Sequence, residues 1–190
     1  KKKKIVLIFD ECTTGFRNNI GGIHKKFNIK PDIVIYGKTL GNGFAINAIV
    51  GKRKIMNCAN STFISSTFWS ERTGPTAALA TIKELKKIKP YSKINKKGKL
   101  ISKIWLNLSK KYQLPISIFS IPSLISFKFK SKNHELYKEI LTKEMLKHGI
   151  LASNRVYVSL SHTDKIIKKY AFFLDLVFKK IKEYEKLKNN

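Results

Sequence analysis

The sequence is poor in acidic residues and in arginine. Its 190 residues include 12 Asp and Glu against 39 Lys and Arg, which gives a formal net charge of +27. Four of the basic residues are arginines, so 35 are lysines. A charge of this size is typical of proteins that bind nucleic acid or an anionic membrane, but recognition of bases and phosphates favours the bidentate fork of arginine. Because the lysines are spread along the chain beside many Ile and Asn residues, we interpret the charge as a bias of A/T-rich codons and expect no nucleic-acid partner.

Long apolar runs and cysteines are also scarce. No run of about 18 apolar residues exists, which excludes a transmembrane helix, and we expect no membrane partner. Residues 1–4 are basic and residues 5–9 are apolar, but Asp10 ends this pattern too early for a signal peptide. The two cysteines, Cys12 and Cys58, do not make a disulfide framework, and the histidines lack the spacing of metal ligands. These absences favour a cytoplasmic protein without a metal site.

The rest of the composition is that of a folded chain, with 43% hydrophobic and 27% charged residues. The apolar patterns before Pro90 predict strands at 5–9, 33–36 and 46–50 and a helix at 76–87. The patterns after it predict helices at 93–111, 134–148 and 164–188, and strands at 116–121, 124–129 and 156–160. We therefore expect an α/β part at residues 1–90 and a smaller α+β domain at residues 91–190.

Two acidic residues, Asp10 and Glu11, follow the first predicted strand. A carboxylate at the carboxyl end of a strand lies at the rim where open α/β sheets bind their ligands. From this position alone, a cap of a turn or helix is an equally good interpretation.

A lysine between glycines, Lys38, follows the second predicted strand directly. The flanking glycines allow the backbone to hold this side chain close to a ligand, where a partly desolvated amine acts as a nucleophile or a general base. In a chain with 35 lysines, an exposed turn lysine is the more economical interpretation of Lys38 taken alone.

The motifs taken together resemble a known family. Residues 7–17, which contain Asp10 and Gly15, are followed by Pro31-Asp32-Ile33 and by the glycine-rich residues 37–43. The later matching segments are residues 65–68, 74–78, 149–151 and 158–163. In this order and spacing they resemble the class III aminotransferases, which are fold type I pyridoxal-phosphate (PLP) enzymes, and among them most closely the glutamate-1-semialdehyde aminomutases.

The resemblance implies a cofactor and a set of site residues. Lys38 corresponds to the lysine that forms a Schiff base with PLP, and Asp10 to the partner of the pyridinium nitrogen. Thr67 corresponds to the residue that binds the PLP phosphate, in this family usually from the neighbouring subunit. The implied protein is therefore a homodimer with its active site at the interface, acting on a small amino or oxo substrate.

The chain also departs from the family in two ways. The short Gly-Asn-Pro continuation of the phosphate segment is replaced by residues 69–75, so Thr62, Ser65 and Ser66 remain alternatives to Thr67. The family's large upstream region, with its phosphate loop, has no counterpart. The expected fold is the C-terminal part of a fold type I large domain followed by a small α+β domain, and we expect this part alone to be inactive. A non-catalytic remnant and a lysine-rich nucleic-acid-binding protein remain the alternative functions.

Overall fold

The computed structural model describes residues 5–119 and 121–189. The chain divides into two compact units, Lys1–Tyr91 and Ser92–Asn190. Residues 1–4 of the predicted basic start, and Ser120 of the predicted strand 116–121, lie outside the described residues. Within the two described ranges, no helix combines the length and the apolar character needed to cross a membrane.

The first unit is built around three short strands. These are β1 (Ile8–Glu11), β2 (Ile33–Tyr36) and β3 (Ala48–Gly51). Helices α1 (Arg53–Met56) and α2 (Thr73–Ile88) follow, and 3₁₀ turns occupy Ile23–Phe27, Lys38–Leu40 and Asn57–Ser61. The strand order is β1-β2-β3, with β1 parallel and β3 antiparallel to β2.

One face of this sheet packs against a small hydrophobic core, and the side chains of the other face, here called the open face, include exposed ones. The buried hydrophobic residues on the packed side are Phe16, Val34, Tyr36, Leu40 and Ala78. On the open face Ile8 and Ile49 are 53% and 58% exposed. Apolar side chains on one face of this sheet are therefore exposed in the described chain. The predicted start of the first strand at residue 5 is wrong, because pairing with β2 begins only at Ile8.

The second unit is an antiparallel sheet with three long helices. Its elements are α3 (Tyr91–Tyr112), β4 (Ile116–Phe119), β5 (Leu124–Phe129), α4 (His134–Lys147), β6 (Arg155–Tyr157) and α5 (Asp164–Asn189). The strand order is β4-β5-β6, and both pairings are antiparallel. Helix α3 begins at Tyr91, the last residue of the first unit, and continues through the first part of the second unit.

The core of the second unit is large and aromatic. Trp105, Phe127 and Phe178 are almost completely buried. The indole Nε1 of Trp105 donates to the Tyr170 hydroxyl at 2.8 Å, so the polar atom of the largest core side chain is satisfied. The hydroxyl is itself buried, which raises the pKa of Tyr170.

Candidate active site

Parallel pairing of β1 and β2 brings the two predicted motifs to one edge of the sheet. Glu11, the last residue of β1, lies opposite Tyr36, the last residue of β2. The chain segments that continue from both strands therefore leave the sheet side by side. This edge is the carboxyl end of both strands, where open α/β sheets bind ligands.

Lys38 opens the 3₁₀ turn that follows β2. Its backbone has φ of +40°, in the left-handed region, and its side chain is exposed. The Nζ atom donates a hydrogen bond to the Thr13 hydroxyl, which belongs to the segment leaving β1. The amine is thus drawn toward the end of the neighbouring strand, and its backbone conformation is one that L residues adopt at a cost.

Asp10 lies one residue before the end of β1, on the open face of the sheet. Its Oδ1 accepts a hydrogen bond from the backbone N–H of Cys12 at 3.0 Å. This bond, with smaller contributions from the Cys12 side chain and the charge of Lys38, lowers the pKa of Asp10. Asp10 is therefore an exposed carboxylate that stays ionised beside a lysine. Burial and the same carboxylate raise the pKa of the Cys12 thiol.

A cavity of about 540 Å³ adjoins Lys38. The lining combines the lysine, aromatic rings and a few polar groups. Its residues are Lys38, Phe44, Ala45, Ile46, Asn47, Ser66, Phe68, Trp69, Glu71, Gly74 and Pro75. The polar share of this lining, to which Lys38, Asn47 and Ser66 belong, is about as large as the apolar share. Convergent polar groups of this kind orient a small molecule in its site.

A close backbone approach shapes the wall of this cavity. A Cβ on Gly74, in the first turn of α2, would lie 2.6 Å from the carbonyl oxygen of Ala45. Because that neighbour is backbone, only glycine lets α2 start this close to the cavity.

The serine and threonine candidates for phosphate binding lie in the exposed segment before α2. Ser66 lines the cavity that contains Lys38, whereas Thr67 is exposed and does not line it. The Thr62 hydroxyl donates to the carbonyl oxygen of Cys58 at 2.9 Å. Thr67 stays a prediction, and Ser66 is the alternative that shares a cavity with Lys38.

For Glu11 the sequence leaves two interpretations, support of the neighbouring Asp10 or a cap of a turn, and the structure buries its side chain. Only 1% of this residue is exposed, and its carboxylate pairs with the ring of His24 at 2.9 Å. The alternation of side chains along β1 explains the contrast, since adjacent residues Asp10 and Glu11 point to opposite faces of the sheet. If the predicted first strand is extended to include Asp10 and Glu11, the alternation of side chains predicts that one carboxylate is exposed and the other is buried.

The described residues contain no group of three or more His, Cys, Asp or Glu side chains arranged to hold a metal ion. Arg72 lies at the N-terminal end of α2 in the first unit, and Arg155 begins β6 in the second. His162 accepts a hydrogen bond at Nδ1 from the backbone N–H of Ser159 at 3.0 Å, which is a structural role.

Comparison with protein families decides the classification. A family model for class-III aminotransferases matches residues 1–170. The chain belongs to the class-III aminotransferase family. The cofactor of this family is pyridoxal 5'-phosphate, which confirms the cofactor expected from the sequence.

Individual class-III aminotransferases match along almost the whole chain. It is 29% identical over 188 residues to a 3-aminobutyryl-CoA aminotransferase of Cloacimonas acidaminovorans, covering 96% of this chain and 45% of that protein. It is 33% identical over 201 residues to a glutamate-1-semialdehyde 2,1-aminomutase of Nitrosopumilus maritimus, covering 96% and 47%. The chain therefore spans about half the length of the curated relatives that it matches.

Solved structures support the same fold. The PLP internal aldimine form of the Sphingopyxis sp. MTA144 FumI protein superposes with a TM-score of 0.85 at 20% identity, covering 95% of this chain and 44% of that one. The expected fold class, the C-terminal part of a fold type I transferase, is confirmed by this likeness and by the family match.

Proposed function

We propose that this chain supplies the PLP-binding lysine and aspartate of an aminotransferase or aminomutase. The observation that carries the proposal is the meeting of Lys38 and Asp10 at one carboxyl edge of the sheet, with a cavity adjoining the lysine. PLP requires an amine for its aldehyde, an anion for its ring nitrogen and hydrogen-bond donors for its phosphate. The residues at this edge fit the first two requirements, and the hydroxyl-bearing segment 62–67 fits the third.

Lys38 is the residue that binds the cofactor covalently and moves the proton. Its Nζ is exposed and oriented by the Thr13 hydroxyl, so it is accessible to an aldehyde. With PLP bound, the same Nζ would be the group that holds and moves a proton next to the substrate carbon. The bound cofactor supplies an electron sink for the substrate carbon.

Asp10 holds the proton on the ring nitrogen. An anion next to a basic nitrogen favours its protonated form, and the Cys12 N–H keeps Asp10 ionised. Aminomutases and transaminases need the same lysine and aspartate, so the proposal covers both reactions.

Phosphate binding and the remaining walls of the site come from more polypeptide. Thr67 binds the phosphate from the neighbouring subunit of a homodimer, and the other half of the family fold covers the open face of the β1-β2-β3 sheet. Exposure of Ile8 and Ile49 supports such a cover. We expect residues 1–190 alone to bind PLP weakly. A structural module without catalysis is the alternative function.

The test traps the cofactor on its lysine. The chain is produced together with the other half of the family fold, loaded with PLP, reduced with borohydride and mapped by peptide mass spectrometry. We expect one stoichiometric label on Lys38 among the 35 lysines. Lys38→Arg keeps the charge and abolishes the label, and the exposed Lys83→Arg on α2 leaves it unchanged.

Two outcomes contradict the proposal. A stoichiometric label on another lysine excludes Lys38 as the cofactor-binding residue. No label on any lysine, from a protein that circular dichroism shows to be folded, favours the non-catalytic module.

A further inference from the structure

The Glu11 carboxylate is buried and receives four hydrogen bonds. Thr14 donates its hydroxyl to Oε2 at 2.7 Å, and the backbone N–H of Ile23 donates to the same oxygen at 2.8 Å. The backbone N–H of His24 donates to Oε1 at 2.9 Å, and His24 Nδ1 lies 2.9 Å from that oxygen. Such a set of donors is what allows a carboxylate to stay charged out of contact with water.

The balance of these effects keeps Glu11 ionised. Burial by itself raises the pKa of Glu11, but the hydrogen bonds from His24, Thr14 and Ile23 outweigh it, and the pKa is lowered. The charge in turn adds to the effect of burial in raising the pKa of Tyr36. Glu11 is therefore a fixed negative charge between β1 and the 3₁₀ turn Ile23–Phe27.

The same residue closes the turn that follows β1. Its carbonyl oxygen accepts the backbone N–H of Gly15 at 2.8 Å, while its side chain holds Thr14. Cys12 and Thr13 lie between Glu11 and Thr14 in this turn. The backbone N–H of Cys12 donates to Asp10, and the hydroxyl of Thr13 accepts from Lys38. The groups that orient both proposed site residues thus belong to the turn that Glu11 closes.

The turn has little room to move. A Cβ on Gly15 would lie 2.7 Å from the carbonyl oxygen of Glu11, and one on Gly22 would lie 2.5 Å from its Oε1. The backbone therefore approaches Glu11 from both sides at distances that only glycine permits.

We propose that Glu11 is a positioning residue that ties the turn 11–15 to the His24 turn and so holds the Cys12 N–H on Asp10 and the Thr13 hydroxyl on Lys38. This inference rests on the proposed function, in which Asp10 and Lys38 bind PLP. Glu11 itself acts from the packed face of the sheet, opposite to Asp10, and through hydrogen bonds rather than contact with the cofactor.

The test uses the chain combined with the other half of the family fold. Glu11→Gln keeps the shape but replaces an acceptor oxygen with a donor, and Thr14→Val removes one hydrogen bond while the charge of Glu11 remains. Glu84→Gln, an exposed carboxylate on α2, is the matched control. The readouts are amide hydrogen exchange at Ile23 and His24, the Kd for PLP, and the pH midpoint of the visible band of lysine-bound PLP.

For Glu11→Gln we expect faster exchange at Ile23 and His24 and about tenfold weaker PLP binding, because a buried hydrogen-bond set is broken. The midpoint shifts in both variants, because a less firmly held Asp10 interacts less with the ring nitrogen. Thr14→Val keeps the charge of Glu11, so its effect separates loss of positioning from loss of charge. An unchanged Kd and midpoint in Thr14→Val and Glu11→Gln would overturn the inference while the wild-type band upholds the proposed function. A wild type with no such band overturns both. If Glu11→Gln does not fold, Thr14→Val alone decides.

Discussion

The two units are similar in length but differ greatly in how much they bury. Among the described residues, 18 hydrophobic side chains form the buried core of the second unit, and five form that of the first. The first unit instead exposes apolar side chains on its sheet, including Ile8 and Ile49. Yet Asp10 and Lys38, the proposed catalytic pair, lie in this less buried unit.

If the proposed site is correct, the residues for chemistry and most of the buried core belong to different units of the chain. Burial of apolar area is the main favourable contribution to folding, so we expect the core of the second unit to stabilise that unit without other polypeptide. The first unit carries a sheet with one open face, and we infer that it depends on further polypeptide for the precision of its site.

Separating the units tests this contrast most strongly. We expect residues 92–190 to unfold cooperatively when produced alone, because α3, α4, α5 and the antiparallel sheet share one core. We expect residues 1–91 alone to associate or remain unfolded, because a small core with an open apolar face does not offset chain entropy. Circular dichroism melts and sedimentation of both pieces give the answer. Cooperative folding of a monomeric 1–91 piece would contradict the comparison.

A core truncation in the second unit is the next largest effect. Leu141 on α4 is fully buried, so Leu141→Ala is expected to destabilise the unit by about 3 kcal/mol. Leu146 on the same helix is 57% exposed, and Leu146→Ala is expected to cost less than about 1 kcal/mol. Urea titration followed by the fluorescence of the buried Trp105 measures both. Equal losses in the two variants would show that the core is not packed as described.

Much of the fold was predictable because local patterns decide it. Strands β2 and β5 have the predicted bounds, and the four long helices begin and end within three residues of prediction. Their apolar spacings of two and 3.6 residues are the direct result of having one buried face. Gly149, which follows the end of α4, has φ of +69°, the conformation that a glycine supplies after the last residue of a helix.

The features that the sequence did not predict depend on residues that are distant along the chain and close in the fold. Strand β1 is displaced from the apolar run at 5–9 because β2 determines where pairing begins, and this displacement makes Asp10 and Glu11 strand residues. The burial of Glu11 then depends on donors from Ile23 and His24, more than ten residues away. The short helix α1 and the 3₁₀ turns also lack an apolar repeat that would predict them. The roles of Asp10, Lys38 and Thr67 follow from motif resemblance and stay predictions.

Each unit contains a glutamate with a lowered pKa, and the two glutamates differ in their surroundings. Glu11 in the first unit is buried among backbone donors, whereas Glu144 in the second has its pKa lowered by Lys147 and Lys180 at the surface. Glu11→Gln is expected to destabilise by about 2 kcal/mol, because buried donors lose a charged acceptor. Glu144→Gln is expected to change stability by less than about 1 kcal/mol, since such ion pairs are solvated.

The pH dependence of stability tests the contribution of Glu11 directly. The folded-state pKa of Glu11 lies below its ordinary value of 4.5, so its stabilisation is complete above that pH and is lost as pH falls through the folded-state pKa. The protection factors of the β2 amides, which are exchange rates corrected for the intrinsic effect of pH, are therefore expected to fall in acid for the wild type, with a smaller pH response in Glu11→Gln. A wild-type response identical to that of Glu11→Gln would show that Glu11 does not stabilise the first unit.

Two glycines, one in each unit, allow the backbone strain of the units to be compared without any change in side-chain packing, and we expect only small effects on stability. Gly43 in the first unit and Gly149 in the second both have positive φ, +110° and +69°, and a Cβ on either would meet no atom within 4 Å. Alanine at either position therefore costs only backbone strain, about 1 kcal/mol at Gly149, where φ lies at the edge of the left-handed helical region. Gly43→Ala is expected to cost more, because a φ of +110° lies outside that region. Gly149→Asn is expected to recover part of the loss, since asparagine tolerates left-handed backbone. Hydrogen exchange resolved by unit measures all three variants, and a larger loss of stability for Gly149→Ala than for Gly43→Ala would contradict the greater backbone strain expected at Gly43.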